Sequence, residues 1–208
     1  GTGLRVGVSG TGLTVGAIQD FSSIVVNDEV LNTDNATFTV NGQDATQAEL
    51  RQGQQVLVIG DITNGVAAGV QYRANMVGVL DSLTVQDVEL GLATGQMLAQ
   101  QIEFDASSVF ENTEFELLSV GAAYELSGIV EDDGLLRVTY ARQLTGPISL
   151  QLIGPVDQLE SDSFSIFNLE VDSSAAQLVE FEDNVLEADD VVAVSIDSYD
   201  AASMSATA

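Results

Sequence analysis

Apolar residues along this chain alternate with polar ones at the period of a strand, and helical spacing is nearly absent. Val15-Gly16-Ala17-Ile18, Ser23-Ile24-Val25-Val26, Ala36-Thr37-Phe38-Thr39-Val40 and Gln55-Val56-Leu57-Val58-Ile59 carry strand-type apolar runs, the pattern of half-buried β-strands. Turn chemistry separates them: Asn27-Asp28, Asn64-Gly65 and, above all, Asn41-Gly42, the strongest short hairpin signal. One helical turn is expected at Thr46-Gln47-Ala48-Glu49-Leu50, and a closing strand from Val66 to Arg73. Further strands are predicted near Met97–Phe104, Tyr124–Val130 and Leu135–Ala141, with Asp132-Asp133-Gly134 as a hairpin turn. The pattern continues through Leu152–Val156, Ser163–Val171 and a closing strand near Ser203–Thr207. The predicted class is all-β.

Three stretches repeat one unit. The first reads Leu50-Arg51-Gln52-Gly53-Gln54-Gln55-Val56-Leu57-Val58-Ile59-Gly60, and the second Leu118-Ser119-Val120-Gly121-Ala122-Ala123-Tyr124-Glu125-Leu126-Ser127-Gly128. In both, a Leu precedes a turn glycine by three positions, and an alternating strand leads to a second glycine. A degenerate third copy runs Asp189-Asp190-Val191-Val192-Ala193-Val194-Ser195-Ile196-Asp197. Val77-Gly78-Val79-Leu80 also echoes Val15-Gly16-Ala17-Ile18. Recurrence about every 60 to 75 residues points to an array of small units rather than one enzyme core. The expected organisation is a Gly-rich arm at 1–13, a first β-barrel unit at 14–74, a second at 75–146 and a degenerate third at 147–208. Pro147 and Pro155, the only prolines, fall at the last boundary, where they restrict the backbone.

The arm Gly10-Thr11-Gly12, the strand–Asn-Asp–strand unit after it, and Leu50-x-x-Gly53-Gln54-x-Val56-x-Val58-x-Gly60 resemble a family of bacterial secreted repeats. That family is known only as a domain of unknown function. The resemblance implies small, partly open β-barrels similar to the OB-fold, in a secreted or cell-surface bacterial protein, and it carries no catalytic residues. It is best over residues 10–74 and weakest in the third unit, where the turn glycines are replaced.

Composition narrows the chemistry. The chain has 32 acids against 5 bases, a formal net charge of −27, and neither His nor Cys. Such a surface is repelled by nucleic-acid phosphate and by anionic lipid. Disulfides, imidazole or thiolate metal sites and Ser-His-Asp triads are excluded. All five bases are arginine, so Schiff-base chemistry is excluded too, and none follows Arg142. No apolar run approaches the roughly 18 residues of a membrane-spanning helix. A hydrophobic fraction of 45% is enough for packed cores.

Carboxylates are the abundant reactive groups. Glu103, Asp105, Glu111, Glu114 and Glu116 cluster in the second unit, but a glycosidase needs a matched pair with one raised pKa, and the chain has no Trp platform for a sugar. The expected catalytic set is empty. Hard cations such as calcium want carboxylate oxygens, which makes Asp132, Asp133, Asp189 and Asp190 candidate metal-facing residues, along with Glu180-Phe181-Glu182-Asp183-Asn184. Weak calcium screening over the whole surface is the form expected, with no dedicated cofactor. Asn35-Ala36-Thr37 is a formal glycosylation sequon.

The remaining feature is the arm. Leu4, Val6 and Val8 alternate with Gly3, Arg5, Gly7 and Ser9, giving a strand with one apolar face that is poorly stable alone. It pairs either with an edge of its own barrels or, by strand donation, with the next subunit. Donation does not close on itself and builds a filament. The sequence therefore predicts a non-enzymatic structural protein assembled as a homopolymer through Leu4, Val6 and Val8. The alternative is an extracellular binding module for a polysaccharide or an envelope protein, assisted by divalent cations.

Overall fold

The computed structural model describes residues 12–20, 24–177, 179 and 185–208. Its all-β character follows from the alternation above. The first region contains β1 (Gly12–Asp20), β2 (Ile24–Val26), β3 (Glu29–Leu31), β4 (Thr37–Val40), β5 (Gln43–Ala45), β6 (Gln55–Asp61) and β7 (Val66–Tyr72). They line up as β3-β2-β1-β6-β7-β4-β5. A parallel bridge between Asn32 and Val66 brings the end of β3 back to β7, so that β1, β2, β3, β7 and β6 form a ring. Asn27 and Asp28 turn with φ of 53° and 64°, and Asn41-Gly42 with 49° and 80°, the left-handed turn geometry that these residue types tolerate. The single 3-10 turn at Gln47–Glu49 is closed by a capping box in which Glu49 accepts from the Thr46 N–H at 2.7 Å.

The second region contains β8 (Met76–Asp87), β9 (Leu92–Met97), β10 (Gln100–Phe104), β11 (Val109–Glu111), β12 (Ala123–Val130) and β13 (Leu136–Leu144). Here β8 pairs with β9, β9 with β10, β10 with β13 in parallel, β13 with β12, and β12 again with β8. The third region holds β14 (Leu150–Pro155), β15 (Ser163–Ile166), β16 (Leu169–Asp172), β17 (Val191–Ile196), β18 (Ser198–Asp200) and β19 (Ser205–Thr207). Its pairings follow the same order: β14 with β17, β15 with β16, β16 with β19 in parallel, and β18 with β19.

One pair of backbone bonds recurs in all three regions. The Ile18 N–H donates to Gln54 O (3.0 Å) and the Gly53 N–H to Ile18 O (2.8 Å). Leu80 is bonded to Ala122 and Gly121 in the same way, and Val156 to Asp190 and Asp189. Gly53, Gly121 and Asp189, at equal intervals in the sequence, have φ of 85°, 85° and 69°. The degenerate copy thus keeps the left-handed turn with an aspartate, the residue type besides glycine and asparagine that tolerates it.

Two expected strands are broken. Met97–Phe104 is not one strand: it turns at Leu98-Ala99, with φ of 50° and 61°, between β9 and β10. No turn residue announces this. Leu98 and Ala99 are buried, and their N–H groups donate to Asp81 Oδ2 (3.1 Å) and to the Tyr199 hydroxyl (2.9 Å). Tertiary partners from β8 and β18 stabilise the turn in place of local chemistry. Ser163–Val171 likewise turns at Phe167, φ 51°.

Packing divides the molecule in two. Ile18, Ile24, Leu31, Leu50, Val56, Val58, Val70 and Tyr72 belong to one core. The second and third regions share another, which runs from Met76 and Leu80 to Ile166, Leu169 and Ile196. The sheet is continuous there as well, because Gln151 and Leu152 of β14 pair with Val77 and Met76 of β8.

Candidate functional site: a buried polar joint

The densest polar chemistry lies where the first and second regions meet. Glu125, on β12, is 3% exposed. It accepts from the Tyr72 hydroxyl (2.8 Å), from Arg142 Nη2 (2.7 Å) and from Asn41 Nδ2 (3.4 Å). Tyr72 ends β7 and Asn41 opens the Asn-Gly turn, so the first region supplies two donors and the second supplies the carboxylate and the guanidinium. Asn41 Oδ1 also accepts from the Ala74 N–H at 2.9 Å, which ties the connecting segment to the same point.

Beside this group, Glu111 on β11 accepts from Arg51 Nε (2.9 Å) and from the Tyr140 hydroxyl. Arg51 Nη1 donates to the carbonyls of Ala48 and Leu50, each at 2.8 Å. The Tyr72 and Tyr140 rings meet edge to face, with centroids 6.4 Å apart and planes at 86°, a favourable quadrupole arrangement. Three further hydrogen bonds complete the joint. The Gln55 N–H donates to Ser127 Oγ (3.0 Å), Gln55 Nε2 to Thr139 Oγ1 (3.3 Å) and Thr139 Oγ1 to Gly53 O (2.6 Å).

The electrostatics suit holding rather than proton transfer. Burial, reinforced by Glu125, pushes the Tyr72 hydroxyl well above its ordinary range. Burial and Glu111 do the same to Tyr140. Both hydroxyls therefore stay protonated and serve as donors. Burial alone disfavours the charged Arg142, but Glu125 beside it more than compensates and raises it. For Glu111, burial raises the carboxyl, yet the bonds from Tyr140 and Arg51 win and hold it below its ordinary 4.5. Two carboxylates thus face two guanidiniums across the joint.

A depressed carboxylate stabilises the fold above its unfolded pKa, and the contribution is lost as pH falls through the folded value. Glu111→Gln is therefore expected to destabilise the protein at pH 7 by about 1 kcal/mol, a figure kept small because Arg51 is well exposed. The difference from wild type should shrink to nothing as pH falls below the ordinary glutamate range. Urea unfolding of both proteins from pH 7 down to pH 3 checks it, and a gap that widens in acid contradicts the assignment.

The sequence-predicted residues fall elsewhere. Leu4, Val6, Val8 and the acidic run 180–184 lie outside the described residues. Asp132 and Asp133 sit in the β12–β13 turn, where Asp133 Oδ1 accepts from the Leu135 N–H at 3.1 Å. Asp189 and Asp190 precede β17, and Asp190 Oδ2 accepts from the Glu187 N–H at 2.9 Å. Among the described residues no three metal-ligating side chains gather into a site. Of the acidic run in the second region, Glu111 joins the joint, while Asp105 caps its own turn through the Ser107 N–H (2.7 Å). Glu125, Tyr72, Tyr140, Arg142 and Asn41 escaped sequence reasoning. Their one legible signal was scarcity: in a chain with 5 bases, each arginine is a candidate for a dedicated partner, and Arg51, Arg137 and Arg142 all have one.

Two shallow recesses lie away from the joint. One of about 430 Å³ is lined by Val30, Asn32, Thr33, Asp34, Gln47 and Asn64. The other, of about 330 Å³, lies along Gln158, Ser163, Phe167 and Glu170. No family model matches the chain, and no curated protein matches it in sequence.

Proposed function

We propose that this chain is a non-enzymatic structural subunit, secreted or displayed on a bacterial surface, which assembles head to tail through its N-terminal arm. Its three units are taken as OB-like barrels in tandem. The observation that carries the reading is the joint at Glu125. The most deeply buried charge in the described molecule is used to lock one unit onto the next, with its hydrogen-bonding capacity met by the protein and its neighbours fixed in protonation. A rigid connection between successive units is what a load-bearing element requires, whereas a catalytic carboxylate needs access to substrate and a pKa near working pH. The acidic surface keeps such an assembly soluble and makes its lateral contacts sensitive to salt and divalent cations.

Deleting residues 1–11 is expected to abolish polymers while leaving the far-ultraviolet spectrum of the β-fold unchanged. Sedimentation and negative-stain microscopy of both chains check this, with and without millimolar calcium. A truncated chain that still polymerises removes the reading.

A second reading rests on the recess at Asn32, Thr33, Asp34 and Gln47. Its wall is an ordered set of polar groups, with Thr33 Oγ1 donating to Gln47 Oε1 at 2.8 Å and Asn32 Nδ2 to Asp34 Oδ2 at 3.2 Å, a surface suited to a polysaccharide hydroxyl array. It predicts a monomer whose melting temperature rises with glycan or calcium.

A further inference from the structure

The joint contains a chemical weak point. Asn-Gly occurs at Asn41-Gly42 and again at Asn64-Gly65, and both glycines turn with positive φ, 80° and 68°. The pair that makes a strong hairpin signal is also self-reactive, because glycine has no Cβ to shield its amide nitrogen. That nitrogen attacks the Cγ carbon of the asparagine before it and forms the new C–N bond of a succinimide. The bond from Cγ to Nδ2 breaks, and Nδ2 leaves as ammonia with the proton that the glycine gave up. Water then opens the ring at either carbonyl, giving aspartate or isoaspartate, each with a negative charge where a neutral amide stood.

The two sites are held differently. Asn64 is exposed, and its Nδ2 donates within the same turn, to Asp61 Oδ2 at 2.7 Å. Asn41 is half-buried and is gripped by other segments. Its Oδ1 accepts from the Ala74 N–H at 2.9 Å, which orients the amide so that Nδ2 faces Glu125 Oε2 at 3.4 Å. Its backbone N–H donates to the Tyr72 carbonyl at 2.8 Å. Attack needs a carboxamide free to bring its carbon onto the following nitrogen, and bonds at both of its ends oppose that movement. Ala74 belongs to the segment that connects the first two regions and Glu125 to the second, so the grip on Asn41 is released when the joint opens.

We infer that Asn41 is a deamidation site gated by the joint: it is protected while the joint is closed, converted when the joint opens, and once converted it hinders reclosure. The product accounts for the last step. Aspartate at this position has no N–H for Glu125 and sets a second carboxylate against it, which leaves Arg142 to balance both. Glu125 is 3% exposed, where like charges strongly disfavour each other. Arg73 lies beside Gly42 but is exposed, and solvent weakens its attraction. Isoaspartate does more, since it adds a carbon to the backbone between Val40 and Gln43, which pair across the β4–β5 hairpin. An opening long enough for attack is thereby made permanent. The gate works within one chain and is independent of assembly through the arm.

The gate is tested by incubating the chain and its Glu125→Ala variant in mildly alkaline buffer, which promotes loss of the glycine N–H proton. Peptide mapping by mass spectrometry follows asparagine, aspartate and isoaspartate at positions 41 and 64 in the same samples. In wild type, Asn41 is expected to convert about tenfold more slowly than Asn64, the protection that a closed state gives. In Glu125→Ala, Asn41 should speed up by about tenfold, because the joint opens more often, while Asn64 keeps its rate. Wild-type Asn41 reacting as fast as Asn64 overturns the inference, and so do equal rates at Asn41 in the two proteins. Equal acceleration at Asn64 overturns it too, because the whole first region rather than the joint is then the gate. Should Glu125→Ala fail to fold, Tyr72→Phe, which removes a single hydroxyl from the joint, takes its place under the same criteria.

The effect of the product is tested with Asn41→Asp. Amide exchange at Gln55, whose N–H donates to Ser127 Oγ across the joint, should be about tenfold faster than in wild type. Exchange at Val138, in the core of the second region, should be unchanged. Exchange at Gln55 equal to wild type means that the acid does not hinder closure, and it overturns the one-way step.

Discussion

Glu125→Ala is expected to lower the unfolding free energy by about 3 kcal/mol, the lower end of what removing one partner of a buried ion pair costs. The lower end applies because Arg142 keeps a side-chain exposure of 35%, so water solvates part of the charge left behind. The Tyr72 hydroxyl has no such recourse: the residue is 1% exposed, and a buried donor without an acceptor costs about 1–3 kcal/mol by itself. Part of the loss should also appear as lost coupling. The first region has its own apolar core, so weakening the joint should let it unfold ahead of the rest, splitting one urea transition into two. Replacing the group as a set, with Glu125→Leu, Tyr72→Phe and Arg142→Met, should recover much of the loss, because of the donors to Glu125 only the half-buried Asn41 amide is then left without its partner. A change below 1 kcal/mol for Glu125→Ala, with a single transition, would show that the joint does not hold the units together.

Gly53→Ala and Gly121→Ala form a matched pair with unequal consequences. Both glycines have φ of 85°, so an added methyl strains both backbones by about 1 kcal/mol or somewhat more. Their surroundings differ. A Cβ at Gly121 meets nothing within 4 Å, whereas one at Gly53 sits 2.3 Å from the Thr139 carbonyl oxygen. That oxygen belongs to β13, across the joint, and cannot move without disturbing the bond from Thr139 Oγ1 to Gly53 O. Gly53→Ala should therefore cost about 3 kcal/mol or more, against about 1 for Gly121→Ala. Thermal unfolding of the two variants checks it. Equal losses would mean that the repeat motif carries only a turn and that the first copy has no special contact.

The repeat was legible because its determinants are local. Leu50-x-x-Gly53 and Leu118-x-x-Gly121 announce a turn that needs positive φ and an apolar anchor before it, and the structure places both leucines in cores. Asn27-Asp28, Asn41-Gly42 and Asn64-Gly65 were equally readable, since their side chains or lack of one select the turn. Leu98-Ala99 was not. Its conformation is stabilised by Asp81, distant in sequence, and by Tyr199, a hundred residues away, and no local rule reaches that far. The joint escaped for a related reason. Glu125 looks in sequence like one more acid on an alternating strand, and its burial depends on Tyr72, Asn41 and Arg142 arriving from three other segments.

By itself, the sequence determined the all-β class, the period of the repeat, the exclusion of imidazole and thiol chemistry, and a net charge of −27. Each of these depends on residue type and short-range order, to which alternation, turn propensity and net charge respond directly. Only the tertiary structure decided that the first two regions are clamped through a buried carboxylate and that the second and third share one core and one sheet. Those outcomes depend on which strands meet and where each one stops, quantities set by the packing of whole elements against each other and carried by no single stretch of chain.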